Sequence, residues 1–315
     1  MPPRAPLPAR HGLGPAWVRT PDRTPGEPPW PTMGQWLRSR LPEKVDVAGM
    51  LEDGRFVGDD GRPVREDDPY RPHTFMWFHR DLRVEPPVPG VIDVLHRDER
   101  LVVVDKPPFL STIPRGRHVA QSVVVRLREE LGLPELSPVH RLDRVTSGVL
   151  VLTTERRWRG TYQGLFQARG VAKTYLALAR HDPALALPVV VRNHLRKDRG
   201  SLQVAVVAGA PPNAQTLVEL DHVLGEHAVY RLTPTTGRTH QLRVHLAGLG
   251  VPIVGDPLYP EVLDVEVDDF STPLQLLAHE LSFTDPVDGS ERQFVSRRTV
   301  PVHPEPVTGH PPHLR

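Results

Sequence analysis

The sequence contains no cysteine, and this absence narrows the chemistry available to the chain. Disulfide frameworks, thiolate nucleophiles and zinc sites built from cysteine are all excluded. No apolar run approaches the roughly 18 residues that a membrane-spanning helix needs, and the N-terminus has no signal-peptide core. We therefore expect a soluble protein of the cytoplasm, with a core drawn from its 38% hydrophobic residues.

Lysine is scarce, whereas arginine and proline are abundant. Only four of the 39 basic residues are lysines, which leaves 35 arginines, and 37 residues are prolines. The planar arginine guanidinium suits phosphates and stacked bases. Because 38 acidic residues nearly cancel the positive charge, any surface that binds a polyanion must be a local one.

Proline content and apolar spacing divide the chain into four parts. Residues 1–31 hold ten prolines and little apolar periodicity, so we expect them to be disordered, like the tail over 300–315. Residues 32–84 predict a small unit with a short helix that ends at Pro42 and a hairpin that turns at Asp59–Gly61. A proline-rich stretch then opens the main domain, which we assign to 85–299.

The main domain predicts an α+β fold on a mixed or antiparallel sheet, because strands outnumber helices. The apolar pattern predicts strands at 101–105, 149–152, 171–179 and 229–233, and a hairpin at 276–283 and 292–296. Helices are predicted over 119–131 and from Leu242 to Gly248 or Gly250.

The densest polar segment is Pro138-Val-His-Arg-Leu-Asp-Arg-Val-Thr-Ser-Gly148. It places one carboxylate, Asp143, among Arg141, Arg144 and His140. A carboxylate held by guanidiniums stays ionised at neutral pH, which suits a nucleophile or a base better than a general acid. A salt-bridged loop with no chemistry is the alternative that composition alone favours.

Two further segments carry polar residues in a regular arrangement. Arg238, His240 and Arg243 lie on the polar face of the predicted helix start, which is suited to an anion, although a solvated helix face has the same pattern. Lys173 and Tyr175 point to the same side of a predicted strand. The sequence has no glycine-rich phosphate loop and no dinucleotide fingerprint, so no cofactor is expected.

Taken in order, these segments resemble the RluA family of RNA pseudouridine synthases. The resemblance rests on residues 140–148, on Lys173-Thr-Tyr175, on residues 237–245 and on Gly255-Asp-Pro-Leu-Tyr259, and it extends from about Val91 to Arg298. It implies a mixed-sheet catalytic domain with a central cleft. It also implies an isomerase that converts uridine to pseudouridine in ribosomal or transfer RNA, without metal or cofactor, and we expect a monomer.

The resemblance also implies roles for individual residues. Asp143 would attack the uridine, Tyr175 would lie against the uracil ring and Arg243 would pair with the Asp143 carboxylate. Arg141 would enter the RNA stack in place of the flipped nucleotide. The remaining RNA-binding residues implied are His140, Arg144, Lys173, Arg238 and His240. Residues 32–84 would be a diverged RNA-binding unit.

The sequence departs from the family pattern at two positions. Phe109 replaces a small residue in the segment Asp105–Leu110, and Leu277 stands where the family often has histidine. Two other functions remain open at this point. One is a non-catalytic RNA-binding protein of the same fold, and the other is a metal-dependent hydrolase that uses His140, Asp143, His240 and His245.

Overall fold

The chain forms two units, residues 1–84 and residues 85–315. The computed structural model describes residues 2–22, 30–116 and 118–303. In the described part of the chain, no helix is both long and apolar enough to cross a membrane.

The first unit packs two short helices against a three-stranded antiparallel sheet with the order β1-β3-β2. Helix α1 begins where the Thr32 side chain accepts a hydrogen bond from the Gln35 N–H, and it ends just before Pro42 as predicted. Trp36, Leu37 and Phe56 are buried in the core of this unit. Its elements are β1 (Ala16–Arg19), α1 (Met33–Arg40), α2 (Val47–Glu52), β2 (Val57–Gly58) and β3 (Phe75–Phe78).

The prediction of disorder is wrong for part of each terminus. Strand β1 pairs with β3, because a four-residue strand between Pro15 and Pro21 can join a sheet without using a proline nitrogen. At the other end, Val302 is buried and its N–H donates to Gln275 Oε1 at 2.6 Å. Residues 1, 23–29 and 304–315 lie outside the described part, so the prediction stays untested there.

The second unit is built on a ten-stranded sheet with the order β4-β5-β7-β14-β8-β13-β12-β9, to which β6 and β15 add at β7 and β14. The pair β7–β14 is parallel and the other pairs are antiparallel, which confirms the predicted α+β fold on a mixed sheet. Its elements are β4 (Asp93–Arg97), β5 (Leu101–Lys106), α3 (Val123–Glu130), β6 (Ser137–Pro138), β7 (Ser147–Thr153), α4 (Arg156–Gln167), β8 (Ala172–Arg180), β9 (Val189–Asn193), β10 (Leu195–Arg196), β11 (Ala205–Val206), β12 (Ala214–Leu224), β13 (His227–Pro234), α5 (Gln241–Gly248), β14 (Leu276–Thr284) and β15 (Glu291–Val295).

Strands β5 and β7 read as continuous apolar runs because both of their faces are buried. Alternate residues enter two cores: Val102 and Leu150 join the core that contains α3 and α5, whereas Val103 and Val151 join the core beneath α4. These two strands form the rigid support from which the polar loops of the domain emerge.

Two helices differ from the prediction. Helix α3 begins at Val123 instead of Val119, because the Glu85 carboxylate accepts the N–H groups of residues 119–121 at 2.8–3.0 Å and holds them in a turn. Helix α4 is absent from the prediction. It is anchored by buried Tyr162, whose hydroxyl lies 3.0 Å from both carboxylate oxygens of Asp285.

Candidate active site

The loop that carries Asp143 leads from β6 into β7, and its end is fixed by a close approach of two strands. Gly148 has φ +108°, and a Cβ at this position would lie 2.2 Å from the carbonyl oxygen of Ala278. Only glycine fits there, because β7 pairs in parallel with β14 at this residue. The glycine that closes the segment 138–148 is therefore a requirement of the sheet.

Buried polar groups hold the residues on either side of Asp143. The fully buried Lys106 Nζ donates to the carbonyls of Pro107 and Leu110 at 2.8 Å and of Arg144 at 3.1 Å. Burial lowers the pKa of this amine well below its ordinary value. The Thr112 hydroxyl donates to the Leu142 carbonyl at 2.9 Å. The main chain on both sides of Asp143 is thus held by buried polar side chains.

Arg243 projects from α5 and lies between two carboxylates. Its Nε and Nη2 donate to Asp256 at 2.8 and 2.5 Å, and its Nη1 lies 3.7 Å from Asp143 Oδ2. The Arg243 side chain is 2% exposed and that of Asp143 is 34% exposed. The guanidinium is therefore held from behind by one carboxylate and faces the other across an opening.

The start of α5 is fixed by the Gln241 side chain. Its Oε1 accepts from the Arg238 N–H at 3.0 Å and from the Thr236 hydroxyl at 2.8 Å, and its Nε2 donates to Gln215 O and Thr216 Oγ1, both at 2.9 Å. These bonds tie the loop before α5 and the start of the helix to strand β12. Gln241 thus fixes the helical turn from which Arg243 projects.

His240 and Tyr259 form the wall beside the carboxylate. The Tyr259 hydroxyl accepts from the Val204 N–H at 2.7 Å and lies 3.0 Å from His240 Nδ1, which leaves it to donate to that nitrogen. His240 Nε2 lies 3.9 Å from Asp143 Oδ2. Burial lowers the pKa of His240 to about 4, so its imidazole is neutral at neutral pH.

Tyr175 and Lys173 come from β8, which lies between β13 and β14. Burial, together with the negative charge of Asp143, raises the pKa of the Tyr175 phenol, so its hydroxyl remains protonated. Burial lowers the pKa of Lys173, and a Cβ on Gly237 would lie 3.9 Å from its Nζ. The three separate segments singled out in the sequence are therefore brought to one place.

Two predicted RNA-binding residues are instead engaged by the protein. His140 Nε2 accepts from the Val151 N–H at 3.1 Å, its ring stacks on Phe166 at 4.7 Å, and burial lowers its pKa to about 3. Arg144 Nη1 donates to the Val267 carbonyl at 3.2 Å. The RNA contacts expected of His140 and Arg144 stay predictions. Arg141 is exposed.

Arg238 and His245 differ in their surroundings. Arg238 is exposed, and its Nε donates to the Asn213 carbonyl at 3.2 Å. His245 is buried, with Nδ1 2.9 Å from Thr216 Oγ1 and Nε2 3.0 Å from Asn193 Oδ1.

The ligand set of a metal-dependent hydrolase does not converge. Both ring nitrogens of His245 and Nε2 of His140 have protein partners other than Asp143. Over residues 2–22, 30–116 and 118–303, no three His, Asp or Glu side chains are grouped so that they could hold a metal ion.

Sequence reasoning gave no role to Asp256, Tyr259 or Lys106, although it quoted the segments that contain them. A clear signal lies in Gly255, which has φ +75° and whose Cβ would lie 2.5 Å from Pro273 O. A glycine that backbone geometry requires directly before an aspartate fixes the turn that positions the aspartate. The partner of Asp256 is distant in sequence, so the spacing alone does not identify it.

Comparison with known proteins shows the family to which the chain belongs. Residues 100–248 match the family model described as RNA pseudouridylate synthase. The dual-specificity RNA pseudouridine synthase RluA of Haemophilus influenzae is 31% identical over 229 residues, which cover 68% of this chain and 96% of that protein. The Salmonella typhi protein of the same name is 33% identical over 216 residues, covering 66% of this chain and 94% of that protein.

A solved structure, human RNA pseudouridylate synthase domain containing 1, has a TM-score of 0.55 and 27% sequence identity, and the match covers 68% of this chain and 86% of that one. The fold and the relatives together define an RNA pseudouridine synthase, an isomerase that converts uridine to pseudouridine in RNA. The chain belongs to the RluA family of these enzymes. This membership favours the enzyme over a non-catalytic RNA-binding protein.

Proposed function

We propose that Asp143 is the nucleophile that attacks the target uridine, and that Arg243 and Tyr175 position the carboxylate and the base. The observation that carries this assignment is the single guanidinium that Asp256 holds at 2.8 and 2.5 Å while its Nη1 faces Asp143 at 3.7 Å. A partly exposed carboxylate beside a fixed cation is accessible to an incoming nucleoside, as a nucleophile must be.

The reaction breaks the bond between N1 of the base and the sugar, turns the base and rejoins it through carbon 5. It is redox-neutral and releases no group, so the side chains described here supply what it needs. The uridine must leave the RNA stack to reach Asp143, which costs a few kcal/mol. The exposed Arg141 is placed to enter the gap and stack there, which offsets part of this cost. The Tyr175 ring then holds the detached uracil by stacking.

The substrate we propose is a ribosomal or transfer RNA in the cytoplasm, modified by a monomeric enzyme. Dual specificity is in the name of the Haemophilus and Salmonella relatives. Residues 32–84, which form much of the first unit, are proposed as an accessory RNA-binding unit. Lys173 and Arg238 are proposed to support the site and the RNA backbone, and His240 to line the wall beside the bound nucleotide.

The test replaces Asp143 with alanine in the full chain. We expect pseudouridine formation to fall by at least about a thousandfold, because the attacking group is removed. RNA affinity and the thermal unfolding midpoint should stay near those of the wild type, since Asp143 is a third exposed. The readout is pseudouridine mapping in total RNA from a deletion strain that carries either version of the gene. Appreciable turnover by Asp143→Ala contradicts the assignment.

A further inference from the structure

A cavity of about 640 Å³ lies beside the loop that carries Asp143, and the chemistry described so far does not use it. We call it the flanking cavity. One wall is the segment Ser137–Arg141 and the other is helix α4, which contributes Arg159, Gln163 and Gln167. Its volume is that of a pocket for a small ligand such as a nucleotide.

The lining of the flanking cavity is basic and amide-rich. None of the described residues that line it is an aspartate or a glutamate. Arg159 Nε is buried and has no hydrogen-bond partner within the described part of the chain. A buried donor without a partner is costly, so this group is poised to bind an acceptor supplied from outside.

A second guanidinium adds to the positive potential behind the cavity. Burial and then the nearby charge of Arg159 lower the pKa of Arg128. Arg128 itself is held by the protein, since its Nε donates to the Leu136 carbonyl at 3.1 Å. Arg141, on the opposite wall, is exposed and adds a third cation at the cavity mouth. A phosphate group satisfies all of these features, since guanidiniums bind phosphate oxygens in their fixed fork geometry.

The position of the cavity identifies the source of that phosphate. Arg141 lines the cavity and precedes Asp143 by two residues, which span at most about 7 Å. An RNA whose uridine reaches Asp143 therefore brings an adjacent nucleotide to the cavity mouth. Gln163 and Gln167 offer amide donors and acceptors, which can read the edge of an unstacked base.

We propose that the flanking cavity binds a nucleotide adjacent to the target uridine, with its phosphate on Arg159 and its base edge on the amides of α4. The proposal rests on the function proposed above, because the RNA must first be bound at Asp143. It adds a recognition step, since the enzyme then selects RNA in which two neighbouring nucleotides are able to leave the stack.

The first test measures RNA affinity against salt concentration. The probe is a single-stranded RNA oligonucleotide centred on the uridine that mapping identifies, bound to the full chain in an Asp143→Ala background. We expect Arg159→Gln to weaken binding about tenfold, because one charge-assisted contact is lost. The slope of log affinity against log salt should fall by about 0.7, the value for one phosphate on a single strand.

Three variants control for charge and for folding. Arg157→Gln removes the same charge from the same helix, but Arg157 pairs with Glu99 at 3.1 Å and with Glu155 at 3.0 Å and does not line the cavity. It should leave the salt slope unchanged, and Arg159→Lys should retain the slope. Because Gln167 is exposed, Gln167→Glu leaves the core intact, and it should weaken binding most at low salt, where the added negative charge is least screened.

The second test asks whether a base occupies the cavity. The probes are oligonucleotides that each lack one base beside the uridine. With the wild-type cavity, one of these abasic positions should weaken binding. In Gln163→Ala the same abasic site should cause no further loss. Additive losses, or a salt slope for Arg159→Gln equal to that of Arg157→Gln, overturn the proposal. Pseudouridine that persists in Asp143→Ala overturns the proposed nucleophile and leaves the cavity result standing.

Discussion

Arg243 faces two carboxylates whose surroundings differ sharply. Asp256 is 1% exposed, binds two nitrogens of the guanidinium, and accepts the N–H groups of Leu258 at 2.9 Å and Tyr259 at 3.2 Å. Asp143 is 34% exposed and lies 3.7 Å from the third nitrogen of the same guanidinium. One carboxylate is buried and fully hydrogen-bonded, whereas the other opens onto solvent.

The difference separates positioning from reactivity within a single site. A carboxylate whose lone pairs are all engaged is a poor nucleophile, but it holds a guanidinium in one orientation. A carboxylate that meets the same cation at a longer distance keeps lone pairs for an incoming nucleoside. Asp256 thus fixes the guanidinium, and the oxygen atoms of Asp143 are not needed for that purpose.

The strongest way to break this comparison is to neutralise each carboxylate in turn. We expect Asp256→Asn to lower the free energy of unfolding by about 3–5 kcal/mol, because it leaves the buried Arg243 charge without its main partner. Asp143→Asn should change it by less than about 1 kcal/mol, since Asp143 is partly exposed and Arg243 keeps Asp256. Urea denaturation with a common m-value measures both changes.

The activities of the same two variants sharpen the distinction. Asp143→Asn should be inactive although stable, whereas Asp256→Asn should retain a small activity at temperatures where it is folded. Equal destabilisation by the two substitutions would show that Asp143 is also a buried structural partner, and the proposed division of roles would then be wrong.

A second prediction concerns His245, a buried histidine on α5. Burial lowers the pKa of His245 to about 4, whereas an unfolded histidine titrates near 6.5. Between these values the unfolded chain binds a proton that the folded chain does not, so stability falls as the pH drops from about 6.5 to about 4. The stability lost through this one group is on the order of 3 kcal/mol.

The variant His245→Gln measures that contribution. Its free energy of unfolding, compared with the wild type at several pH values, should depend less on pH within this window. The advantage of the wild type at pH 7 should therefore shrink as the solution is acidified. A difference that stays constant from pH 7 to pH 4.5 would show that His245 is not the group that titrates.

Much of the fold follows from local patterns. Strands β5 and β7 were predicted because buried strands are apolar on both faces, and α5 because Leu242, Leu246 and Leu249 repeat with helical spacing. Helix α4 was missed because Gly160 and Gly164 weaken its helix propensity. Trp158, Tyr162, Leu165 and Phe166 nevertheless repeat with helical spacing and pack in one core, and the prediction overlooked this pattern.

The site shows what local patterns leave out. The motifs identified Asp143, Tyr175 and Arg243, which the structure brings together. They did not reveal that Lys106 supports the loop, because its acceptors are main-chain carbonyls that include the distant Arg144. The direction of the His140 ring was not predicted, because a polar residue close to Asp143 in sequence does not reveal where its ring points. The ring turns to the Val151 N–H, a direction set by tertiary packing.

The smallest effect is expected from Tyr175→Phe, which tests whether the residue acts through its ring or its hydroxyl. Burial and the Asp143 charge raise the pKa of this phenol, so the hydroxyl keeps its proton and is a poor base. Phenylalanine retains the stacking surface, and turnover should stay within about threefold of the wild type, whereas Tyr175→Ala should lose tenfold or more. Single-turnover rates on the mapped RNA measure both. An inactive phenylalanine variant would show that the hydroxyl takes part in proton transfer. Tyr175 would then act in the reaction itself, together with Asp143, and would not be only a positioning residue.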